Sequence, residues 1–139
     1  MALLVLDTSV ILKWFLQENY SDISLKIRED FYNEVHEIVE PDLLLYEFAN
    51  VLRYNPVYRG EDIKKAIDSL IETDFNIVLP TLELMKDAVD LAKKHYITVY
   101  DAIFVSLAKL IGAIFVTADE KLYKKIKELK FVKFIADFK

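Results

Sequence analysis

Cysteine is absent from the 139 residues. Disulfides, thiolate catalysis and Cys-based zinc sites are therefore excluded, and a reducing compartment such as the cytoplasm is compatible with the chain. Histidine is almost absent too. His36 and His95 stand far apart and lack ligand-type spacing, so no His-based metal site is expected. There are only two glycines and three prolines, with no low-complexity stretch and no repeat. No uninterrupted apolar run approaches the ~20 residues of a membrane span. The opening stretch "MALLVLDTSV" turns acidic too soon for a signal peptide, so the expectation is a cytoplasmic protein without a membrane attachment.

Apolar residues are plentiful. They make up 54% of the chain, and aromatics 13%, enough for a substantial core and too many for disorder. The net charge of −5 argues against a generally basic nucleic-acid coat. It leaves room for a local basic patch, or for a metal site built from carboxylates.

Short β-rich runs alternate with longer amphipathic ones. Strands are expected at 3–6, 37–39, 77–79, 113–117 and 132–135. Helices are expected at 10–16, 22–34, 43–54, 61–73, 82–94, 100–110 and 121–129. Pro41 precedes one helix, Thr81 is placed to cap another, and Gly112 sits where a helix C-terminus favours a left-handed residue. The alternation predicts one α/β domain over residues 1–139. Its sheet would be parallel, of about five strands, with helices on both faces. Ligands of such sheets bind outside the carboxyl ends of the strands.

Two acids fall at that edge. Asp7 follows the first strand, and Asp119 follows the strand in "IFVTADEKL", so a strand, an acid and a helix recur as one design. Asp101 opens the apolar helix "YDAIFVSLAKLIG", whose first turn would lie near the same strand ends. Glu47 lies one turn after Leu43 and one before Val51, along the apolar face of "PDLLLYEFANVLRY". A lone glutamate facing a core is costly unless paired or bound to a metal. Each acid also has a plainer reading. Asp7 and Asp119 could be helix N-caps, Asp101 could complement a helix dipole, and Glu47 could be a surface residue. Four acids at one sheet edge would repel one another, and a hard divalent cation with oxygen ligands is the usual resolution. Magnesium or manganese suits such a site, where it can activate water and stabilise charge on a phosphoryl group.

The segments "LDTSVILKWF", "PDLLLYEFANVLRY", "YDAIFVSLAK" and "VTADEKL" together resemble the PIN-domain signature, in the version found in VapC-type ribonuclease toxins of prokaryotic toxin–antitoxin pairs. Any one segment is weakly specific; the ordered set of four covers nearly the whole chain. The resemblance implies a metal site formed by Asp7, Glu47, Asp101 and Asp119, supported by a hydroxyl such as Thr117 or Ser9. It implies a Mg²⁺- or Mn²⁺-dependent endoribonuclease acting on structured RNA of the tRNA or rRNA class. Dimerisation and inhibition by a cognate antitoxin are implied as well. In physical terms, Asp7, Asp101 and Asp119 are expected to hold the metal directly or through water. Glu47 would hold it too or orient the attacking water, and Thr117 and Ser9 would hydrogen-bond the carboxylates. Ser9 is equally placed to cap the helix expected at 10–16.

An acidic protein that binds RNA needs local cations. Lys13, Arg53 and Arg59 are the candidates near the acids, while "KLYKKIKELK" reads first as the solvated face of an amphipathic helix. The segment "NPVYRG" (55–60) matches nothing assignable. Tyr46, Tyr54 and Tyr58 could stack bases or be buried in a dimer contact. Trp14, Phe15, Phe31 and Tyr32 on the early helices are also expected in such a contact. An aspartyl-nucleophile phosphatase would need an acid where Ser9 stands, and a receiver domain would need an acidic pair where Asp7 is followed by Thr8. The remaining alternative is a PIN-like module that binds a partner or RNA without cleaving it.

Overall fold

Strand β1 (Ala2–Leu6) ends in Leu4, Val5 and Leu6, all without solvent exposure. Consecutive residues of a strand point to opposite faces, so a run buried throughout requires cover on both sides. The other strands are β2 (His36–Pro41), β3 (Asn76–Val78), β4 (Ile114–Thr117) and β5 (Val132–Phe134). They form one sheet in the order β3-β2-β1-β4-β5, parallel at every pairing. The computed structural model describes residues 2–139.

Helices α1 (Thr8–Ile11) and α2 (Ser21–Tyr32) connect β1 to β2, and α3 (Leu43–Arg53) and α4 (Gly60–Glu72) connect β2 to β3. Helices α5 (Leu82–His95) and α6 (Val99–Ile111) lead to β4, and α7 (Glu120–Ile126) leads to β5. The first two crossovers move one way along the sheet and the last two move the other way. Right-handed crossovers therefore put α1 to α4 on one face and α5 to α7 on the other. The expected doubly covered α/β domain of five strands is observed. The direction reverses between β1 and β4, which makes their carboxyl ends the switch point where such sheets form a crevice.

Local chemistry explains most boundaries. Thr81 caps α5 by accepting the Leu84 N–H at 3.1 Å. Gly112 ends α6 in the left-handed conformation, φ 71°, where a side chain would be strained. The helix expected at 10–16 instead begins at Thr8 and tightens into a 3-10 turn over Leu12–Trp14. There Trp14 is buried, and its indole N–H donates to Ser24 O at 2.9 Å. Helix α7 stops at Ile126 rather than 129, because Leu129 N–H turns back to Ile126 O and leads the chain into β5.

Candidate active site

Asp7 sits where β1 leaves the sheet. Its N–H donates to Val116 O at 2.9 Å, extending the β1–β4 ladder by one bond. It occupies the N-cap position of α1, yet its carboxylate caps nothing. Both Thr117 Oγ1 (2.7 Å) and Ser9 Oγ (2.9 Å) donate to its Oδ2. The two hydroxyls cannot turn away easily. Ser9 Oγ accepts the Ala118 N–H, and Thr117 Oγ1 accepts the Asp119 N–H. A hydroxyl that accepts a backbone N–H has its one proton left to give, and here the receiver is Asp7. Both hydroxyls therefore bond the Asp7 carboxyl, and Ser9 is not a helix cap. Among the described residues Oδ1 of Asp7 has no hydrogen bond and is not sealed, which leaves it as the oxygen open to the cleft.

The cleft measures about 310 Å³ and is lined by Asp7, Glu47, Asp101 and Asp119 together with Ser9 and Asn50. Asp119, after β4, is the N-cap of α7 and accepts the Leu122 N–H at 3.1 Å. Asp101 is not a cap: Thr98 caps α6 and accepts the Asp101 N–H at 3.0 Å. Glu47 comes from α3, whose buried ridge is Leu44, Phe48 and Leu52. All three belong to the expected apolar face, but the edge of that face at 47 and 51 turns out of the core. Val51 is accordingly exposed, and Glu47 stands beside the ridge, half-buried and open to the cleft. Thr8 Oγ1 donates to Glu47 Oε1 at 2.6 Å and ties α3 to α1.

Burial pushes the Asp7 carboxyl up to about 7, against the two hydroxyl bonds that pull it down; Asp101 and Glu47 add to the rise. Glu47 is raised by burial, and by Asp101, against its bond from Thr8. Asp101 is raised by burial, and by Asp119, while its Thr98 bond and Lys125 pull it down. None of the four acids has a cationic partner within 4.0 Å among the described residues. The cleft therefore holds uncompensated acid groups. Among the described residues no three His, Cys, Asp or Glu side chains are close enough to cage an ion directly. An all-oxygen set of this kind still fits a small hard cation that keeps several waters and binds through one or two carboxylates.

The PIN domain family model matches residues 4–128. The chain belongs to the PIN-domain family. It is 32% identical over 130 residues to a protein named Ribonuclease VapC3 from Pyrobaculum aerophilum, covering 91% of this chain and 96% of that protein. A chain in a toxin–antitoxin complex from Klebsiella pneumoniae shares the fold with a TM-score of 0.70 at 16% identity, covering 97% of this chain and 98% of that one. VapC20 from Mycobacterium tuberculosis, titled a sarcin–ricin loop cleaving toxin, shares it with a TM-score of 0.66 at 12% identity, covering 87% and 93%.

Two side chains of this PIN domain were missed by sequence reasoning. One is Thr8, the clasp on Glu47. The other is Glu40, fully buried in β2. The β1–β2 pairing ends at Leu4 and Ile38, and the next N–H that faces β2, Leu6, donates to Glu40 Oε1 at 2.6 Å. Its Oε2 is sealed without a partner. Burial holds the Glu40 carboxyl well above the usual carboxylate range; the Leu6 bond opposes this and nearby Asp7 adds to it. The signal was there in parity. Had the strand been continued past 39, Glu40 would have fallen on the side of buried Ile38.

The basic candidates fall elsewhere. Lys13 is buried, 3.3 Å from Glu18, so its charge is already engaged. Arg53 lies over the Tyr54 ring at 5.3 Å. Arg59 precedes α4, and its N–H donates to Asp62 at 2.9 Å. None of the three lines the acid cleft. The early-helix aromatics also differ from expectation. Trp14 is in the core, Phe15 packs edge-on to Phe48 at 5.0 Å, and Phe31 is half-buried. Tyr32 alone of that group is exposed.

Proposed function

We propose that this PIN domain is a divalent-metal-dependent endoribonuclease, the toxin of a toxin–antitoxin pair, acting on structured RNA of the tRNA or rRNA class in the cytoplasm. The observation that carries the reading is the cleft with four convergent, unpaired acids at the β1–β4 switch point. The ribonuclease name of the Pyrobaculum relative supports the reaction. The titles of the Klebsiella and Mycobacterium structures support the toxin role and the RNA class.

Mg²⁺ or Mn²⁺, when bound, supplies water activation and charge stabilisation at the phosphoryl group. Asp7, Asp101, Asp119 and Glu47 would hold it, in part through waters. The chain's own contribution is orientation. Thr117 and Ser9 hold Oδ2 of Asp7 and leave Oδ1 to the cleft. Thr8 holds Glu47 so that its free oxygen can position the attacking water. A cognate antitoxin would inhibit by placing a guanidinium or ammonium among these carboxylates, where it would pair with them in place of the metal.

A homodimer is part of this reading. The surface that favours it is α5, where Leu82 and Val89 are exposed seven residues apart on one face, rather than the early helices. No helix among the described residues is long and apolar enough to cross a membrane.

The test is cleavage of a folded RNA by purified protein. Activity should require Mg²⁺ or Mn²⁺, stop in EDTA, and fall by orders of magnitude in Asp101→Asn with the fold intact. Full activity in excess EDTA would refute the metal. RNA or partner binding without cleavage in any divalent metal would favour a binding module instead.

A further inference from the structure

Asp101 and Asp119 line two hollows. One is the acid cleft. The other, on their far side, is smaller, about 140 Å³, and is walled by Thr98, Tyr96, Lys121 and Lys125. Lys121 and Lys125 are one helical turn apart, so they share a face of α7. Lys125 Nζ donates to Tyr96 O at 3.0 Å, which fixes the end of that long side chain at the hollow. Lys121 has no hydrogen bond or ion pair among the described residues. Tyr96 ends α5 in the left-handed conformation, φ 57°, and the residue is 83% exposed. An aromatic ring in a left-handed position, turned out to solvent, buries little apolar surface to offset the strain.

These parts make a coherent site. Four acids repel a polyanion, so a substrate reaching the cleft needs cations close by. The two lysines are the cations that share a wall with the acids. Tyr96 joins them through its backbone carbonyl and leaves its ring exposed to solvent at the same hollow. Cations that follow the backbone and an accessible ring that takes a base are the combination that binds single-stranded nucleic acid.

We propose that the Lys121–Lys125 hollow is a subsite for the phosphodiester next to the one cleaved, in an unpaired stretch of RNA, with Tyr96 as the stacking surface for its base. This rests on the ribonuclease reading and goes beyond it. It names the substrate-binding residues, and it restricts the bound part of a structured RNA to a loop or bulge.

The experiment is binding of a fluorescently labelled single-stranded RNA oligonucleotide in EDTA across a salt series, where no cleavage confuses the signal. Lys121→Gln should weaken binding and reduce the slope of log affinity against log salt by about 0.7, the value for one lost single-strand phosphate contact. Lys121→Gln/Lys125→Gln should weaken binding about tenfold at moderate salt and reduce the slope by about twice that amount. Tyr96→Ala should weaken binding roughly tenfold with the slope unchanged, because stacking releases no counterions. A duplex of the same sequence should not respond to Tyr96→Ala. Lys86→Gln, on α5 outside both hollows, supplies the same charge change and should bind like wild type. In Mg²⁺, the lysine variants should raise KM and leave kcat unchanged.

Lys121→Gln has no bond to lose in the fold, so its melting temperature should equal that of wild type, and its binding loss tests the site even if the Lys125 variant is destabilised. Unchanged affinity and slope in the double variant would overturn the subsite. So would an equal loss in Lys86→Gln, which would mean a diffuse charge effect. Loss of antitoxin binding with RNA binding intact would reassign the hollow to a protein partner and overturn it as well. If wild type binds RNA through these lysines and cleaves nothing in any divalent metal, the ribonuclease reading fails, and with it the place beside a scissile bond; only an RNA-binding hollow is left.

Discussion

The ends of β1 and β4 carry the same local design, a buried strand, an aspartate and a helix, and they use the aspartate differently. Asp119 caps α7 through the Leu122 N–H and remains solvent-exposed. Asp7 is 5% exposed, leaves its helix uncapped and takes two hydroxyl donors instead. The contrast follows from the sheet order. β1 is the central strand, flanked by β2 and β4, so its end is enclosed; β4 lies one place nearer the edge. One motif thus yields an exposed acid that caps its helix and a buried acid that caps nothing, both lining the same cleft.

The largest effect should come from separating these roles. Asp7→Asn and Asp119→Asn should each lower RNA cleavage by orders of magnitude. Their stabilities should diverge when a third variant is added. Asn caps about as well as Asp, whereas Asp119→Ala should cost about 1 kcal/mol by urea denaturation. Asp7→Asn should raise stability in EDTA at alkaline pH, because it removes a buried carboxylate. If Asp7→Asn loses as much stability as Asp119→Ala, the contrast between the two strand ends is wrong.

Next in size is the support of Asp7. Thr117→Val keeps the shape but removes the donor to Asp7 and the acceptor for the Asp119 N–H, touching both strand ends at once. Loss of such partners typically costs 10–100-fold in metal affinity or activity, so a drop of about that size is expected in titrations with Mn²⁺ and in cleavage. Unchanged Mn²⁺ affinity would mean that the hydroxyl only fills space.

The pH dependence should be smaller but diagnostic. In the folded protein Asp7 keeps its proton up to about 7, while in the unfolded chain it loses it near 3.8. The folded state therefore binds more protons across that interval, and stability present below it is lost as pH rises to about 7. Glu40, Glu47 and Asp101 are shifted in the same direction. The melting temperature in EDTA should fall between about pH 4 and pH 7, less steeply in Asp7→Asn. Mg²⁺ should stabilise wild type more at the upper end, because metal must displace the proton. A melting temperature that rises with pH in EDTA would contradict the raised carboxyl.

Glu40 gives a finer version of the same comparison, one strand away from Asp7. Glu40→Gln keeps an acceptor for the Leu6 N–H, and should be near-neutral in stability and activity. Glu40→Leu leaves that N–H unpaired, and a loss of about 1–3 kcal/mol is expected. If Glu40→Leu lowers Mn²⁺ affinity and Glu40→Gln restores it, the bond positions Asp7 through Leu6. Equal Mn²⁺ affinity in both variants would confine Glu40 to the fold.

The smallest effect on chemistry is expected at α5. Val89→Asp should shift sedimentation from dimer to monomer at micromolar concentration while the unfolding free energy of the monomer stays within about 0.5 kcal/mol, as for surface substitutions generally. An unchanged dimer would return the contact to other surfaces.

Much of this protein was legible along the chain. Buried strands, amphipathic helices, the Thr81 cap and the left-handed Gly112 are local signals, carried by side-chain period and backbone preference. The acids Asp7, Asp101 and Asp119 were legible because each falls where a strand ends or a helix begins, and such ends gather at one edge of a parallel sheet. What the local signals left open was rotation and proximity. Whether Glu47 lies on the buried ridge of α3 or beside it depends on how that helix rolls against α1. Lys13 is near Asp7 in sequence and is turned to Glu18, while Lys125 is distant in sequence and lies at the Asp101–Asp119 wall. Glu40 meets Leu6 only because β2 pairs with β1 and the pairing stops at Ile38. The sequence by itself determined the elements, their order and the acids; strand order, helix roll and the depth of each strand end determined which side chains meet. The physical reason is that period and capping act within a few residues, whereas burial and hydrogen bonding across elements depend on neighbours that only the folded sheet supplies.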